Sequence, residues 1–326
     1  MPSKLRLTIA TTDYDHVRDL RFGLVQPEGI EVTYLCMGIH EIFARFAQGR
    51  EWEVSELSFA KFIAQATEPD ADIIGLPVFL ARRFRFQAFI VNKKGPVKTP
   101  QDLKGKRIGI PEWAQTATVY TRGWLQHEVG VPLDSVEWVQ AGENEAGREE
   151  KVESTLPKGV RLTRIADKSL SEMLVSGEID CMMSAGRPVA LRNPDIGRLM
   201  PNYQEFDREF FERTRVYPIM HIVAMRKSVL EKHRWAARNL FNAFEEAKDR
   251  AVARALRGTP IPVPWLSEYA REMQGEFGED LYPYGIEPNR PTLEHFLRYA
   301  YEQGVAKKHV KPEEIFPEGI MTSVKI

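Results

Sequence analysis

His221, within the run YPIMHIVAM, is the side chain best suited by type to move a proton. It follows Pro218, Ile219 and Met220 in an otherwise apolar, β-like segment, where an imidazole is either a satisfied core residue or a titrating group at a cleft. A neutral imidazole accepts a proton and an imidazolium donates one, and the sequence leaves that direction open. A second chemistry lies in ARRFRF, which sets Arg82, Arg83 and Arg85 close together. On an extended segment Arg83 and Arg85 share one face and Arg82 takes the other, so at most two can easily serve one ligand. Guanidinium groups match carboxylates with paired hydrogen bonds, which suits a dicarboxylate; a solvated charged face is the plain alternative.

Other candidates stand where strands end. Asp13, Tyr14, Asp15 and His16 follow the first strand, at the end of an open α/β sheet where ligands gather. There Asp15 either orients an imidazole or caps a helix, and Tyr14 can pack on an aromatic ring. Glu56 and Ser58 lie in VSELS, and a glutamate in such a strand is a buried partner of an arginine or part of a site. In TPQDLKGKRIGIPEWAQTATVYTRGWL, Thr99 caps a turn, Arg107 to Ile110 forms a strand that Pro111 ends, and a helix starts near Thr116. The first-turn amides at Thr116 and Ala117, with the positive end of the helix dipole, face an anion at the strand end. Arg187 is read as a further carboxylate clamp, Ser184 and Gly142 as scaffolding, and His127 as a helix cap before Gly130. Asp13, His16, Glu56 and His221 are types that a divalent metal accepts, but no HxH, HxxxH or HExxH spacing supports a site, so a metal is the minority reading. No GxGxxG, P-loop or nucleophile-elbow string is present, which leaves a cofactor-independent protein as the expectation.

The elements that must position these groups alternate. Strands are predicted at residues 5–10, 30–35, 54–57, 73–77 and 86–92, then at 108–110, 136–139, 160–163 and 179–183, with SLSEMLVSGE as the helix before the last. Residues 200–202 end this stretch, and 217–225 form a returning strand. One helix spans 228–257, with Trp235, Leu240, Phe244 and Ala247 at helical spacing, before the loop TPIPVP and two closing helices. At 326 residues and net charge -1, the chain is too long for one small core and shows no basic stripe for nucleic acid. It has no apolar run suited to a signal peptide or membrane span, and its two cysteines, Cys36 and Cys181, fit a reducing cytoplasm.

A lobe built from residues 1–92 and 217–326, with residues 93–216 inserted, is the plan of an α/β, two-lobed type II periplasmic-binding-protein-like fold with two interlobe crossings and a central cleft. DLKGKRIGIP followed by a TAT helix start resembles that solute-binding superfamily, which includes thiamine-precursor binding proteins. More narrowly, VSELSFAKF, PVFLARRFRF, RGWLQHEVGV, PIMH and LYPYGIEPNRPTLEHF resemble the 4,5-dihydroxyphthalate decarboxylase family, from Tyr14 to about Phe316. The chain departs from the family pattern at Arg85 and Phe86, where an Arg-His pair is usual, and at Ala81, where serine is frequent.

The resemblance implies non-oxidative decarboxylation of a hydroxylated aromatic (di)carboxylic acid by proton delivery to the ring. His221, Asp15 and Glu56 become its catalytic candidates. Tyr14, Ser58, Arg82, Arg85, Thr116, Ala117 and Arg187 become its substrate contacts, with Arg82 and Arg85 ranked above Arg83. Its expected partner is a small aromatic carboxylate, with no cofactor, nucleic acid or membrane; a homo-oligomer is compatible with the sequence. The alternative is a solute-binding protein for a small aromatic or dicarboxylate anion, with the same clamp and no productive acid. PIMH favours the enzyme and Phe86 the alternative. A thiamine-type precursor enzyme is discounted for want of a cysteine-rich signature.

Overall fold

A computed structural model describes residues 3–258 and 261–319, so the first two residues of TPIPVP lie outside it. The strands are β1 (Leu5–Thr11), β2 (Ile30–Cys36), β3 (Val54–Ser58), β4 (Ile73–Arg82), β5 (Phe89–Asn92), β6 (Arg107–Ile110), β7 (Glu137–Gly142), β8 (Arg161–Ser169), β9 (Cys181–Met183), β10 (Ile196–Arg198) and β11 (Ile219–Arg226). The helices are α1 (Arg18–Arg21), α2 (Ile39–Gly49), α3 (Phe59–Ala66), α4 (Thr116–His127), α5 (Leu170–Ser176), α6 (Tyr203–Thr214), α7 (Lys227–Lys232), α8 (Arg234–Arg257), α9 (Leu266–Phe277), α10 (Arg290–Glu302) and α11 (Pro312–Ile315).

Two mixed sheets result, ordered β2-β1-β3-β11-β4 and β10-β5-β9-β6-β7-β8. In the first, β1 runs parallel to β2 and β3, while the returning β11 inserts antiparallel between β3 and β4. This inserted strand returns the chain to the first lobe and sets His221 between β3 and β4. In the second sheet β6 runs parallel to β7 and β9, and β5 pairs antiparallel with β9 and β10.

The pairing of β5 moves the first lobe boundary. The apolar run 86–92, assigned to the first lobe by its place in sequence, is a 3-10 turn at Phe86–Ala88 followed by a strand of the second sheet. The crossing therefore occupies residues 83–88 rather than 92–93, because an apolar strand satisfies either sheet and pairing partners decide. The helix predicted over 228–257 is also two helices: His233, at φ -141° and ψ 66°, leaves helical geometry between α7 and α8. Leu240, Phe244 and Ala247 are buried as the spacing implies, but Trp235 is 44% exposed and lies against Gly29 instead.

The lobes meet closely. A Cβ at Gly123 of α4 would fall 2.2 Å from the Tyr299 ring of α10, so only glycine lets these helices approach. The Ile219 amide donates to Tyr120 Oη at 3.2 Å, Arg122 Nε to Gln303 Oε1 at 2.8 Å, and Trp113 Nε1 to the Gln303 carbonyl at 2.8 Å. His127, expected as a cap, instead bonds Glu302 and stacks on Tyr299 across the same junction.

Candidate active site

Every residue of β3 is buried, so the polar members of VSELS must find partners inside the protein. Glu56 finds three. The Thr12 amide donates to Oε2 at 2.7 Å, Tyr14 Oη–H donates to Oε1 at 2.6 Å, and His221 Nδ1 lies 2.8 Å from Oε1. Burial alone would raise the Glu56 carboxyl, but the His221 hydrogen bond and charge, then Tyr14 and the Thr12 amide, hold it below the usual range. It is a carboxylate. Burial, and then the charge of Glu56, pushes the Tyr14 phenol far up, so it stays an O–H donor.

An ionised carboxylate only accepts, so the His221 Nδ1 must carry a hydrogen toward it. Tyr14 Oη is 3.1 Å from the same nitrogen. His221 Nε2 has no protein partner among the described residues, and its side chain, 19% exposed, lines the cleft. The ring stands edge-on to Phe43, centroids 5.1 Å apart. Register shifts on both sides of His221 in its pairing with β4 mark an irregular strand there, the usual device for re-aiming a side chain at a site.

The cleft itself is about 940 Å³ and lies between the lobes. Ser58 Oγ is 2.9 Å from Thr116 Oγ1, which also accepts the Ala60 amide at 3.0 Å, and so the start of α4 is pinned against α3. Thr116 and Ala117 both line the cleft, and helix geometry leaves their first-turn N–H groups without intrahelical partners. Gly142 lines it too; a Cβ there would sit 1.8 Å from the Glu145 carbonyl, so the chain can turn back over the cleft only with glycine.

The arginines divide differently from the ranking by family string. Arg85 is buried, reaches the Ala185 carbonyl at 3.3 Å and lines the cleft. Burial, then the charge of Arg83, pulls its guanidinium down to about 9. Arg83 is exposed and lines the cleft beside it. Arg82 touches the cleft wall, but its guanidinium is spent elsewhere: on the carbonyls of Tyr217 at 3.1 Å and Pro283 at 2.7 Å, and on Asn289 Oδ1. It sits among Phe79, Tyr217 and Tyr282. Together with the Gly285 amide on the Pro77 carbonyl at 2.8 Å, it ties the string PYGIEPNR to β4. Arg82 is therefore an anchor, not a free clamp.

Two further candidates stand apart. Tyr14 is extended and turns inward, while Asp15 opens a 3-10 turn and faces out, 53% exposed, with Arg254 3.5 Å away. Arg187 is exposed, and the cleft wall stops at its neighbours Ala185 and Gly186. Ser184 accepts the Gly186 amide within its own turn. The four residues weighed as metal ligands do not converge. Asp13 pairs with Arg21 at 2.6 Å, and His16 is half-buried between the rings of Tyr14 and Tyr282, its imidazole lowered to about 4 by desolvation. Among the described residues the acidic cluster tight enough for an ion is Glu245, Asp249 and Asp280, and Lys248 Nζ already occupies it, 2.6 Å from Asp280 and 2.9 Å from Asp249.

Position 86 is informative. Phe86 is buried against Trp124 at 4.7 Å and Phe210 at 5.6 Å, behind the crossing, so this side chain belongs to an aromatic core and not to the cleft wall. Ala81 does line the cleft, opposite His221 in register. Sequence reasoning missed Lys61, Glu112 and Arg148. Lys61 Nζ lies 3.0 Å from Glu112 Oε2, and Arg148 Nη2 2.6 Å from Oε1. The available signal was a lysine within FAKFIAQA, whose apolar neighbours mark a buried helix.

The family model described as NMT1/THI5 like matches residues 75–154. The 4,5-dihydroxyphthalate decarboxylase of Comamonas testosteroni is 32% identical over 329 residues, covering 99% of this chain and all of that protein. The enzyme of the same name from Pseudomonas putida is 34% identical over 187 residues, 57% of this chain and 72% of that one. Among solved structures, the periplasmic aliphatic sulphonate binding protein SsuA from Escherichia coli superposes with a TM-score of 0.53 at 14% identity, over 100% of this chain and 96% of that one. Two mixed sheets flanking a cleft, with two crossings, define a two-lobed protein of the type II periplasmic-binding-protein fold. Within that class, the chain belongs to the 4,5-dihydroxyphthalate decarboxylase family.

Proposed function

We propose that this protein is a carboxy-lyase that removes carbon dioxide from 4,5-dihydroxyphthalate, or a closely related hydroxylated aromatic dicarboxylate, to give protocatechuate in the first case. The observation that carries the reading is the Glu56–His221–Tyr14 cluster, which leaves one imidazole nitrogen for the cleft. In 4,5-dihydroxyphthalate each carboxylate-bearing carbon has a hydroxyl para to it, which feeds electron density to that carbon. The His221 imidazolium delivers its Nε2 proton there, and Glu56 stabilises the charged ring beforehand. The carbon–carbon bond then breaks, its electron pair restores the aromatic ring, and carbon dioxide leaves. One proton is consumed and no electron is gained or lost, so the step requires no redox partner. Water returns the proton to His221.

Arg83, Arg85 and the start of α4 supply positive charge for the leaving carboxylate until protonation. Closure of the lobes excludes water that would compete for those groups. Every residue invoked lies in one chain, so the mechanism works for a monomer or a homo-oligomer. We place the protein in the cytoplasm on its two free cysteines, Cys36 and Cys181; among the described residues no helix is long and apolar enough to cross a membrane.

The test is turnover of 4,5-dihydroxyphthalate by chelator-treated protein in deuterium oxide. The proposal expects one carbon dioxide per product and a single deuterium at the carbon that lost its carboxylate. Tight binding without carbon dioxide release overturns it and leaves a solute-binding protein.

A further inference from the structure

Three cations reach the cleft from elements that the proton chemistry does not use. Lys61 comes from the first turn of α3, and Arg148 and Lys151 come from the segment that follows β7 in the other lobe. Lys61 and Arg148 meet on Glu112, which is fully buried and holds one at each oxygen. A single carboxylate does not neutralise three cations. The surplus is felt nearby: after burial, the charges of Arg148, Lys151 and Lys61 push the His40 imidazole down, and after burial the charge of Lys61 lowers Lys151 itself. Glu143, Glu145 and Glu149 of this segment also line the cleft, but among the described residues none of them forms an ion pair with Lys61, Arg148 or Lys151. Glu149 pairs with Arg164, Glu150 accepts the Trp113 and Ala114 amides, Glu143 lies toward Gly186, and Glu145 is exposed.

The cluster is one helical turn from the imidazole. Ser58 is the register partner of His221 and the cap of α3, and Lys61 follows three residues later, on the same side of that first turn. A ligand group here would be adjacent to the ring position that His221 addresses. We propose that Lys61 and Arg148, held by Glu112, form the subsite for the carboxylate that the substrate keeps, and that they make this protein select aromatic acids with two neighbouring carboxylates over those with one. The assignment of kept and lost carboxylate rests on the decarboxylase reading; the selectivity does not. Because the kept carboxylate has the same charge before and during the reaction, its subsite binds ground and transition states equally, and its loss appears in KM rather than kcat. Since Lys61 and Arg148 belong to different lobes, the same group also favours the closed cleft.

The experiment is calorimetric binding of phthalate and of benzoate, neither of which carries the activating hydroxyl, to the wild-type protein and to Arg148→Gln and Lys61→Met. The wild type is expected to bind phthalate about tenfold or more tighter than benzoate, the range of a hydrogen bond between charged groups. Arg148→Gln should remove most of that preference while leaving benzoate unchanged, and should raise KM for 4,5-dihydroxyphthalate about tenfold with kcat within about twofold. Arg148 is 28% exposed, so its variant keeps the test sound even if Lys61→Met, which strips a partner from buried Glu112, does not fold. An unchanged phthalate-to-benzoate ratio in Arg148→Gln overturns the subsite. The same wild-type sample assayed for carbon dioxide separates the two proposals: preference without turnover supports the subsite and removes the decarboxylase, and turnover without preference removes the subsite alone.

Discussion

His221 Nδ1 and Glu56 Oε1 are 2.8 Å apart, on neighbouring strands contributed by opposite ends of the first lobe. The carboxylate has no solvent contact, so the pair presents the cleft with an imidazole whose orientation and tautomer are already chosen.

Replacing that carboxylate should therefore damage both chemistry and acid stability. Glu56→Gln offers an amide in place of an acceptor that stabilises imidazolium, and kcat is expected to fall by about 10²–10⁴. The folded carboxyl titrates below its unfolded value, so its stabilising contribution is complete above about pH 4.3 and is lost as pH falls through the lower, folded value. Thermal unfolding from pH 7 to pH 3 should show the wild type losing more stability than the variant across the acid end. Equal slopes would mean that Glu56 is not held ionised.

Arg82 makes the opposite kind of prediction. Its guanidinium supports two carbonyls and Asn289, so Arg82→Met should cost about 2–4 kcal/mol of stability, read in urea titration. KM measured well below the melting range should stay near wild type. A large KM effect without destabilisation would restore Arg82 as a ligand clamp.

Asp207, on α6, accepts the Phe86 amide at the first crossing, and burial lifts its carboxyl to about 7. A folded value above the unfolded one means that its stability contribution is present below about pH 4 and falls as pH rises through 7. Asp207→Asn should consequently be more stable than wild type at pH 8, by about 2 kcal/mol, with the gap closing below pH 5. A constant gap across that range would contradict the assignment.

At Gly142 the prediction is steric. An added methyl meets the Glu145 carbonyl at 1.8 Å, so Gly142→Ala must displace the segment that carries Arg148. Stability should drop by about 1–3 kcal/mol, and KM for the dicarboxylate should rise with it. Normal KM in the alanine variant would show that this segment does not shape the cleft.

Much of this arrangement is legible in the sequence. Alternating apolar runs imply parallel sheets flanked by helices, which holds for β1 to β3 and β6 to β9 but not for β5 and β11, whose antiparallel pairing makes both sheets mixed; Pro111 with the TAT helix start places α4 at the cleft. Glu56 was conspicuous because a carboxylate inside a strand needs partners. What could not be read was direction. Tyr14 and Asp15 are adjacent, and the backbone at the start of a 3-10 turn sends one to Glu56 and the other to Arg254. The ARRFRF cluster has one arginine consumed by the Pro283 carbonyl and the Asn289 side chain of the PYGIEPNR segment, about two hundred residues away, a contact that no local pattern encodes. Lys61, Glu112 and Arg148 converge from three separate segments, and Lys61 reaches the other two only across the junction between the lobes.

The most direct measurement is kcat for 4,5-dihydroxyphthalate in His221→Gln beside its calorimetric affinity for the same ligand. The account predicts that kcat falls by about 10²–10⁴ while Kd changes less than about threefold, because the imidazole serves proton transfer and the cations serve binding. Turnover near the wild-type rate would contradict the account and assign the proton to another group.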